Sequence, residues 1–109
     1  ATRDRMEVRM ADRNDPNLRD GEADVIMMVN TFMYIENQED YLRLLKKKLK
    51  PGGQLLIVDF KRKRTPIGPN AKLRLPLFEL EDMLLAAGYR LERSDDRSLD
   101  YQYVIRASI

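Results

Sequence analysis

The sequence predicts an α/β fold, in which buried strands alternate with amphipathic helices. Two unbroken apolar runs, residues 25–29 and 55–58, are typical of strands that are covered on both faces. Apolar residues also recur at helical spacing after Asn37 and again after Pro76. The element order is strand, strand, helix, strand, helix, strand, strand, and the length indicates that residues 1–109 are one domain or a piece of one.

The first half of the chain contains two predicted strands and a helix. Apolar and charged residues alternate over residues 6–10, which is typical of a half-exposed strand. Residues 11–24 are rich in turn-forming residues, and a buried strand is predicted over residues 23–30. Asn37 is suited to cap the following helix. The apolar stripe of this helix consists of Tyr41, Leu42, Leu45 and Leu49.

The stretch KPGGQLLIVDF, residues 50–60, joins the end of this helix to the third strand. Pro51 cannot continue a helix, and Gly52 and Gly53 permit positive φ where the chain reverses. The apolar run then ends in Asp59, at the place where the strand leaves its sheet. Because ligands of open α/β sheets bind at the carboxyl ends of the strands, Asp59 is a candidate site residue.

The second half predicts a helix and a hairpin. A long loop precedes Pro76, which starts the helix, and Gly88 stops it. Two strands, residues 89–93 and 101–107, are joined by a polar turn and predict an antiparallel hairpin. The helix has the apolar stripe Leu77, Leu80, Met83, Leu84 and Ala87.

Composition removes several classes of chemistry. The chain has no cysteine and no histidine, which excludes thiol nucleophiles, serine-histidine triads and zinc sites of the usual ligand types. We therefore expect no metal site. The longest apolar run, residues 25–29, is far too short to span a bilayer, and no signal peptide opens the chain. These features favour a cytoplasmic protein without a membrane partner.

The charges are balanced overall but clustered locally. There are 20 basic and 18 acidic residues, so the net charge of +2 says nothing about partners. The basic clusters do not require a nucleic-acid partner, because lysines at a helix end complement its dipole and solvated basic loops need no ligand. The two clusters are Lys46, Lys47, Lys48 and Lys50, and Lys61, Arg62, Lys63 and Arg64.

From about Met6 onward, the chain resembles the C-terminal half of a class I S-adenosylmethionine-dependent methyltransferase. The resemblance rests on ADVIMMVNTFMYI as the fourth strand and its exit, YLRLLKKKLKPGGQLLIVDF as the next helix and fifth strand, and LPLFELEDMLLAAGYRLERS as a further helix. DYQYVIRA resembles the closing strand. This resemblance implies a partial Rossmann-like sheet with helices on its faces, ending in an antiparallel hairpin.

One part of the family pattern is missing. None of the five glycines forms a Gly-x-Gly turn, so the first strand, the glycine-rich loop and the second strand have no counterpart. The chain also begins with Ala1 rather than methionine. We therefore expect a fragment that is inactive or very weak alone and that binds S-adenosylmethionine poorly without the missing half. The alternative is a non-enzymatic interaction module, or one partner of a split enzyme.

The resemblance assigns four candidate cofactor-binding residues. Asp12, with Arg13, follows the third-strand equivalent, where a family carboxylate accepts a hydrogen bond from the adenine amino group. An aspartate that only stabilises its turn is an equally good reading. Asn30 and Thr31 leave the fourth strand, where the family borders the methionine part of the cofactor; their alternative role is to cap the following turn.

Two further residues are candidates for the substrate side of the site. Many relatives carry histidine near Met33 and Tyr34, but this chain does not, so no catalytic base is identified. Tyr34 remains a candidate contact, and Asp59 is suited to orient a substrate unless it only caps its strand. DFKRKRTPIGPN is similar to the proline-bearing loop of small-molecule methyltransferases, which implies a small-molecule acceptor.

The missing half also predicts a partner. In the family sheet, the strand over residues 25–29 lies beside the first strand, which has no counterpart here. An apolar edge of this kind recruits other strands, because its unpaired backbone groups and bare faces are costly in water. We expect either a homodimer or association with a complementary half.

Overall fold

The structure is a computed structural model that describes residues 15–109. The strand predicted over residues 6–10, with Asp12 and Arg13, lies outside the described residues. The described elements confirm the predicted α/β class. They are β1 (Ala23–Val29), α1 (Gln38–Lys48), β2 (Leu49–Phe60), α2 (Leu77–Ala86), β3 (Arg90–Asp95) and β4 (Gln102–Ser108).

The strands form a four-stranded sheet in the order β1-β2-β4-β3. β1 and β2 are parallel, with α1 as their crossover, whereas β4 runs antiparallel to both β2 and β3. The predicted closing hairpin is therefore confirmed. Because β1 and β2 are parallel, their carboxyl ends lie at the same edge of the sheet, and we call this the carboxyl edge. The opposite ends of the two strands form the amino edge.

One face of the sheet carries the hydrophobic core. Helices α1 and α2 contact each other, and their buried stripes join the inward-facing residues of the strands in one cluster. Alternate residues of each strand point into this cluster, as the pleat requires. The cluster includes Ile26, Leu42, Leu45, Leu55, Ile57, Leu80, Leu84 and Ile105.

The opposite face of β1 differs from the prediction. The run over residues 25–29 was expected to be covered on both faces, but Val25, Met27 and Val29 are 58%, 59% and 45% exposed. Only Ile26 of this run is buried. The physical reason is that both described helices pack on the same face, so no described element covers the other one.

The junction between α1 and β2 is shorter than the sequence suggested, because no separate turn lies between the helix and the strand. Asn37 occupies the N-cap position but makes no side-chain capping bond. β2 begins at Leu49, so the Pro-Gly-Gly stretch lies inside the strand and not in a separate turn. Gly52 has a φ of 78°, and the register with β1 shifts between Ala23 and Val25. Gly52 therefore permits the backbone conformation that the register shift between β1 and β2 requires.

The second helix begins and ends as predicted. Pro76 is the residue before its first turn, and Gly88 follows its end with a φ of 89°. Tyr89 then turns into the core, where its hydroxyl donates a 2.7 Å hydrogen bond to the carbonyl of Leu42 in α1. This bond links the exit of α2 to α1 and so fixes the hairpin against the helices.

Candidate functional site

The carboxyl edge brings Asn30 and Thr31 beside the end of β2. The backbone N–H of Asn30 donates a 2.7 Å hydrogen bond to the carbonyl of Val58, which continues the ladder by one residue beyond β1. Asn30 has a φ of 59°, a left-handed conformation that asparagine tolerates better than most residues. The chain therefore turns sharply at Asn30 and leaves the sheet at this edge.

The side chains of these two residues have different roles. The Asn30 Oδ1 accepts a hydrogen bond from Nε2 of Gln102, which ties the exit of β1 to β4. Thr31 occupies the N-cap position of a 3₁₀ turn, Phe32–Tyr34, but makes no side-chain capping bond and is exposed. Asn30 thus stabilises the edge, and the Thr31 hydroxyl is available to a ligand. The capping alternative for Thr31 has no support in this geometry.

The two candidate substrate residues differ in exposure: Tyr34, in the 3₁₀ turn, is exposed, and Asp59 is buried. Phe32 and Met33 are buried, whereas the Tyr34 ring is 44% exposed at the carboxyl edge. Asp59, in contrast, is fully buried at the end of β2. Tyr34 is therefore placed to contact a ligand directly, but contact with Asp59 requires the turn to move.

Asp59 is a buried carboxylate without a hydrogen bond. Neither of its side-chain oxygens has a hydrogen-bond partner. Burial raises the pKa of Asp59 to about 7, because the charged form loses its hydration; the nearby backbone N–H of Met33 moderates this rise but lies outside hydrogen-bonding geometry. The reading of Asp59 as a simple structural cap therefore receives no support from its contacts.

Tyr103 lies opposite Asp59 across the β2–β4 ladder. Its hydroxyl donates a 3.0 Å hydrogen bond to the carbonyl of Leu75 and so is not directed to the carboxylate. Burial, with a smaller contribution from the charge of Asp59, holds the pKa of Tyr103 well above its usual range. The immediate surroundings of Asp59 thus disfavour its charge.

Arg74 organises the loop that follows β2, and the sequence analysis missed it. The residue is only 3% exposed, and its guanidinium lies 4.8 Å from the centre of the Phe60 ring. It donates six hydrogen bonds into residues 61–69, at distances from 2.7 to 3.2 Å. The acceptors are the carbonyls of Lys61, Lys63, Ile67 and Pro69 and the hydroxyl of Thr65.

Gly68 completes this arrangement, because a side chain does not fit there. It has a φ of 96°, and a Cβ would lie 2.8 Å from the Phe60 ring and 3.1 Å from the Arg74 guanidinium. The two prolines and the glycine of TPIGPN, residues 65–70, indicate a turn. No local pattern indicates that the side chain of Arg74 fills it. The loop over residues 61–70 is therefore a fixed structure beside the carboxyl edge.

The cofactor candidates fit only one side of an S-adenosylmethionine site. The exposed Thr31 hydroxyl and the turn at Asn30 are suitable to border the methionine part of the cofactor. Within residues 15–109, no glycine lies in a Gly-x-Gly turn. No group of three metal-ligating side chains occurs among the same residues, and no helix there is long and apolar enough to cross a membrane.

Two comparisons with known proteins define the class of protein. A methyltransferase domain family matches residues 1–57, which is more than half of the chain. No curated protein matches the sequence. The fold is that of S-adenosylmethionine-dependent methyltransferases. The chain belongs to this methyltransferase domain family, and the resemblance seen in its sequence is confirmed.

Solved structures agree with this assignment. A SAM-dependent methyltransferase from Aquifex aeolicus is 29% identical, with a TM-score of 0.84 over 94% of this chain and 54% of its own. An S-adenosylmethionine-dependent methyltransferase from Mesorhizobium loti is 14% identical, with a TM-score of 0.72 over 91% of this chain and 67% of its own. The N1-methyltransferase from Burkholderia thailandensis, solved with 1,6-didemethyltoxoflavin and S-adenosylhomocysteine, is 18% identical, with a TM-score of 0.62 and coverage of 83% and 45%.

The chain spans about half the length of the Aquifex relative. The described residues bring Asn30, Thr31, Tyr34 and Asp59 to one edge of the sheet. Asp12 and Arg13 lie outside the described residues, so their adenine-binding role stays a prediction.

Proposed function

We propose that this chain forms the acceptor-side half of an S-adenosylmethionine-dependent methyltransferase that acts on a small molecule. The observation that carries this proposal is the shared carboxyl edge of β1 and β2, where Asn30, Thr31 and Tyr34 leave the sheet. Ligands of open α/β sheets bind at such an edge. The chain requires a complementary half for activity, because the family's glycine-rich loop has no counterpart in its sequence.

The residues of the carboxyl edge position the reactants and exclude water. S-adenosylmethionine, when bound, supplies a methyl group that is already activated, so the protein contributes mainly placement of the acceptor. Thr31 offers a hydroxyl that makes no capping bond, and Tyr34 offers an exposed ring. Buried Phe32 and Met33 anchor the turn between them. None of these roles requires a histidine or a metal ion.

Cofactor binding tests the need for a complementary half. We expect the chain alone to bind S-adenosylmethionine no better than about 1 mM, which corresponds to ~4 kcal/mol. Joining the part of the Aquifex methyltransferase that this chain does not match to this chain should restore a micromolar site, measured by calorimetry. A micromolar site on the chain alone, or no site on the joined protein, would contradict the proposal.

The joined protein also tests the adenine assignment. Asp12→Ala should weaken S-adenosylmethionine binding by about 1–3 kcal/mol, because the adenine amino group loses a buried acceptor. Asp15→Ala is the matched control, since Asp15 is a nearby exposed aspartate that accepts a hydrogen bond from the backbone N–H of Asn17. Equal affinities of the two variants would assign Asp12 to its turn instead.

The exposed face of β1 supports a homodimer as the state of the isolated chain. Val25, Met27 and Val29 form an apolar row on a strand that pairs only with β2 among the described residues. A second copy covers both this row and the open edge. Sedimentation at micromolar concentration should therefore give a dimer, and Met27→Lys should give a monomer.

Phe78→Lys is the control for this experiment, since Phe78 is equally exposed, at 63%, but lies on α2. It should leave the dimer intact. If the unchanged chain is a well-folded monomer, the homodimer proposal is wrong. The remaining prediction is then that another chain supplies the complementary half. The non-enzymatic alternative would gain support if the joined protein bound no cofactor but the chain still captured that half.

A further inference from the structure

The two basic clusters of the chain differ in how their charges are satisfied. At the amino edge, Lys48 Nζ lies 2.7 Å from a carboxylate oxygen of Asp20, and Lys50 Nζ lies 3.4 Å from one of Asp24. In the loop after β2, the consecutive residues Arg62, Lys63 and Arg64 are all exposed. None of these three forms an ion pair within the described part of the chain. We call these three residues the basic triplet.

Hydrogen bonds from the Arg74 side chain hold the backbone around the basic triplet in place. Arg74 donates hydrogen bonds to the carbonyls of Lys61 and Lys63, at 3.2 and 2.8 Å. The Lys61 Nζ is directed away from the triplet, because it donates a 2.7 Å hydrogen bond to the carbonyl of Leu99. A fixed backbone lowers the conformational entropy that a ligand must remove from the loop, although the exposed side chains still have to be ordered.

The position of the triplet connects it to the proposed site. It begins two residues after the end of β2, at the same edge where Asn30 and Thr31 leave β1. Resting on the proposed function, we propose that the basic triplet binds an anionic group of the methyl acceptor, a carboxylate or a phosphate. The acceptor is then an acidic small molecule, which the triplet holds at the carboxyl edge.

The length of the basic triplet suits one small anionic group better than a nucleic-acid strand. Three consecutive residues span about 10 Å at full extension, which suits a single phosphate or dicarboxylate. A nucleic acid presents a charge along each strand every few ångströms and is contacted by a longer basic stripe. The chain as a whole has a net charge of only +2, and two of the four lysines of its other basic cluster pair with carboxylates.

Titration of the full 109-residue chain with simple anions tests the proposal. Pyrophosphate and citrate, at constant ionic strength, are the probes for phosphate and carboxylate, and amide shifts in NMR spectra report binding. Neutralising the triplet (Arg62→Gln, Lys63→Gln, Arg64→Gln) should weaken the binding of the preferred probe by about tenfold, from three partly exposed ionic contacts. The control neutralises three exposed cations elsewhere: Lys47, Arg90 and Arg106.

Shifts confined to residues 61–70 that disappear in the triplet variant and persist in the control support the proposal, and the better probe identifies the source of the anion. Equal loss in both variants would overturn it in favour of a general charge effect. Tighter binding of a single-stranded RNA with steep salt dependence would overturn it in favour of a nucleic-acid surface. Because no cofactor is present, failure here leaves the calorimetric test of the proposed function intact.

Discussion

The two edges of the β1–β2 pair are built differently. At the amino edge, cations pair with carboxylates, and the backbone N–H of Gly21 donates a 2.9 Å hydrogen bond to the carbonyl of Lys47. At the carboxyl edge, the Asp59 side chain is buried without a hydrogen bond, and the basic triplet forms no ion pair within residues 15–109. The buried carboxylate costs stability, and the exposed cations are free to pair with a ligand, so this edge is suited to binding.

Arg74 stabilises the carboxyl edge, and its loss should have the largest effect. Arg74→Met keeps an unbranched side chain but leaves the acceptors of six hydrogen bonds without their donor. We expect a loss of about 4 kcal/mol in the free energy of unfolding, measured with urea. Arg62→Met removes an exposed arginine of the same loop and should change little. Equal effects would mean that the guanidinium does not organise the loop.

Substitutions of Gly68, near the carboxyl edge, and Gly52, near the amino edge, compare the packing at the two edges. Both have positive φ, but a Cβ at Gly68 would lie 2.8 Å from the Phe60 ring, whereas one at Gly52 meets nothing within 4 Å. Gly52→Ala should cost about 1 kcal/mol from backbone strain alone. Gly68→Ala adds a steric clash and should cost about 3 kcal/mol. Similar losses in urea unfolding would show that the packing around Phe60 yields easily.

Asp59 should make stability depend on pH in a defined direction. Its pKa rises from 3.8 to about 7 on folding, so the folded state binds a proton that the unfolded state releases. The stabilising contribution of protonated Asp59 to the free energy of unfolding is therefore complete below about pH 4. It decreases as the pH rises to about 7, and the free energy of unfolding then no longer changes through this group. This shift corresponds to a loss of ~4 kcal/mol, and Asp59→Asn should recover about 2 kcal/mol of it at pH 8, because the charge is gone but a buried amide remains; the effect at pH 4 should be much smaller.

Urea unfolding at both pH values measures this difference. Asp100→Asn, which neutralises an exposed carboxylate in the hairpin turn, is the control. A destabilised Asp59→Asn protein at pH 8 would mean that the carboxylate gains a donor when it ionises. The nearest candidate for that donor is the backbone N–H of Met33.

The sequence predicts the fold better than the site, for reasons that particular residues illustrate. The stripes of α1 and α2 and the stops at Pro76 and Gly88 are local patterns, and they appear where they were predicted, except that Leu49 begins β2 and does not lie in α1. The role of Arg74 depends on a loop that begins 13 residues upstream, so no local pattern reveals it. Apolar content likewise predicts a buried strand over residues 25–29, but not that one face is uncovered.

The smallest effect is expected at the amino edge. Lys48→Gln combined with Lys50→Gln removes both ion pairs of this edge, in which the side chains of Asp20 and Asp24 are 73% and 80% exposed. Solvent screens such pairs, so we expect no resolvable change in the urea midpoint. The hydrogen bond from Lys48 is the main cause that lowers the pKa of Asp20, and the variant should return that pKa toward its ordinary value in an NMR titration. A loss of stability as large as that of Gly52→Ala would mean that charge pairing, and not the backbone, closes the amino edge. The contrast between a paired edge for folding and an unpaired edge for binding would then have to be abandoned.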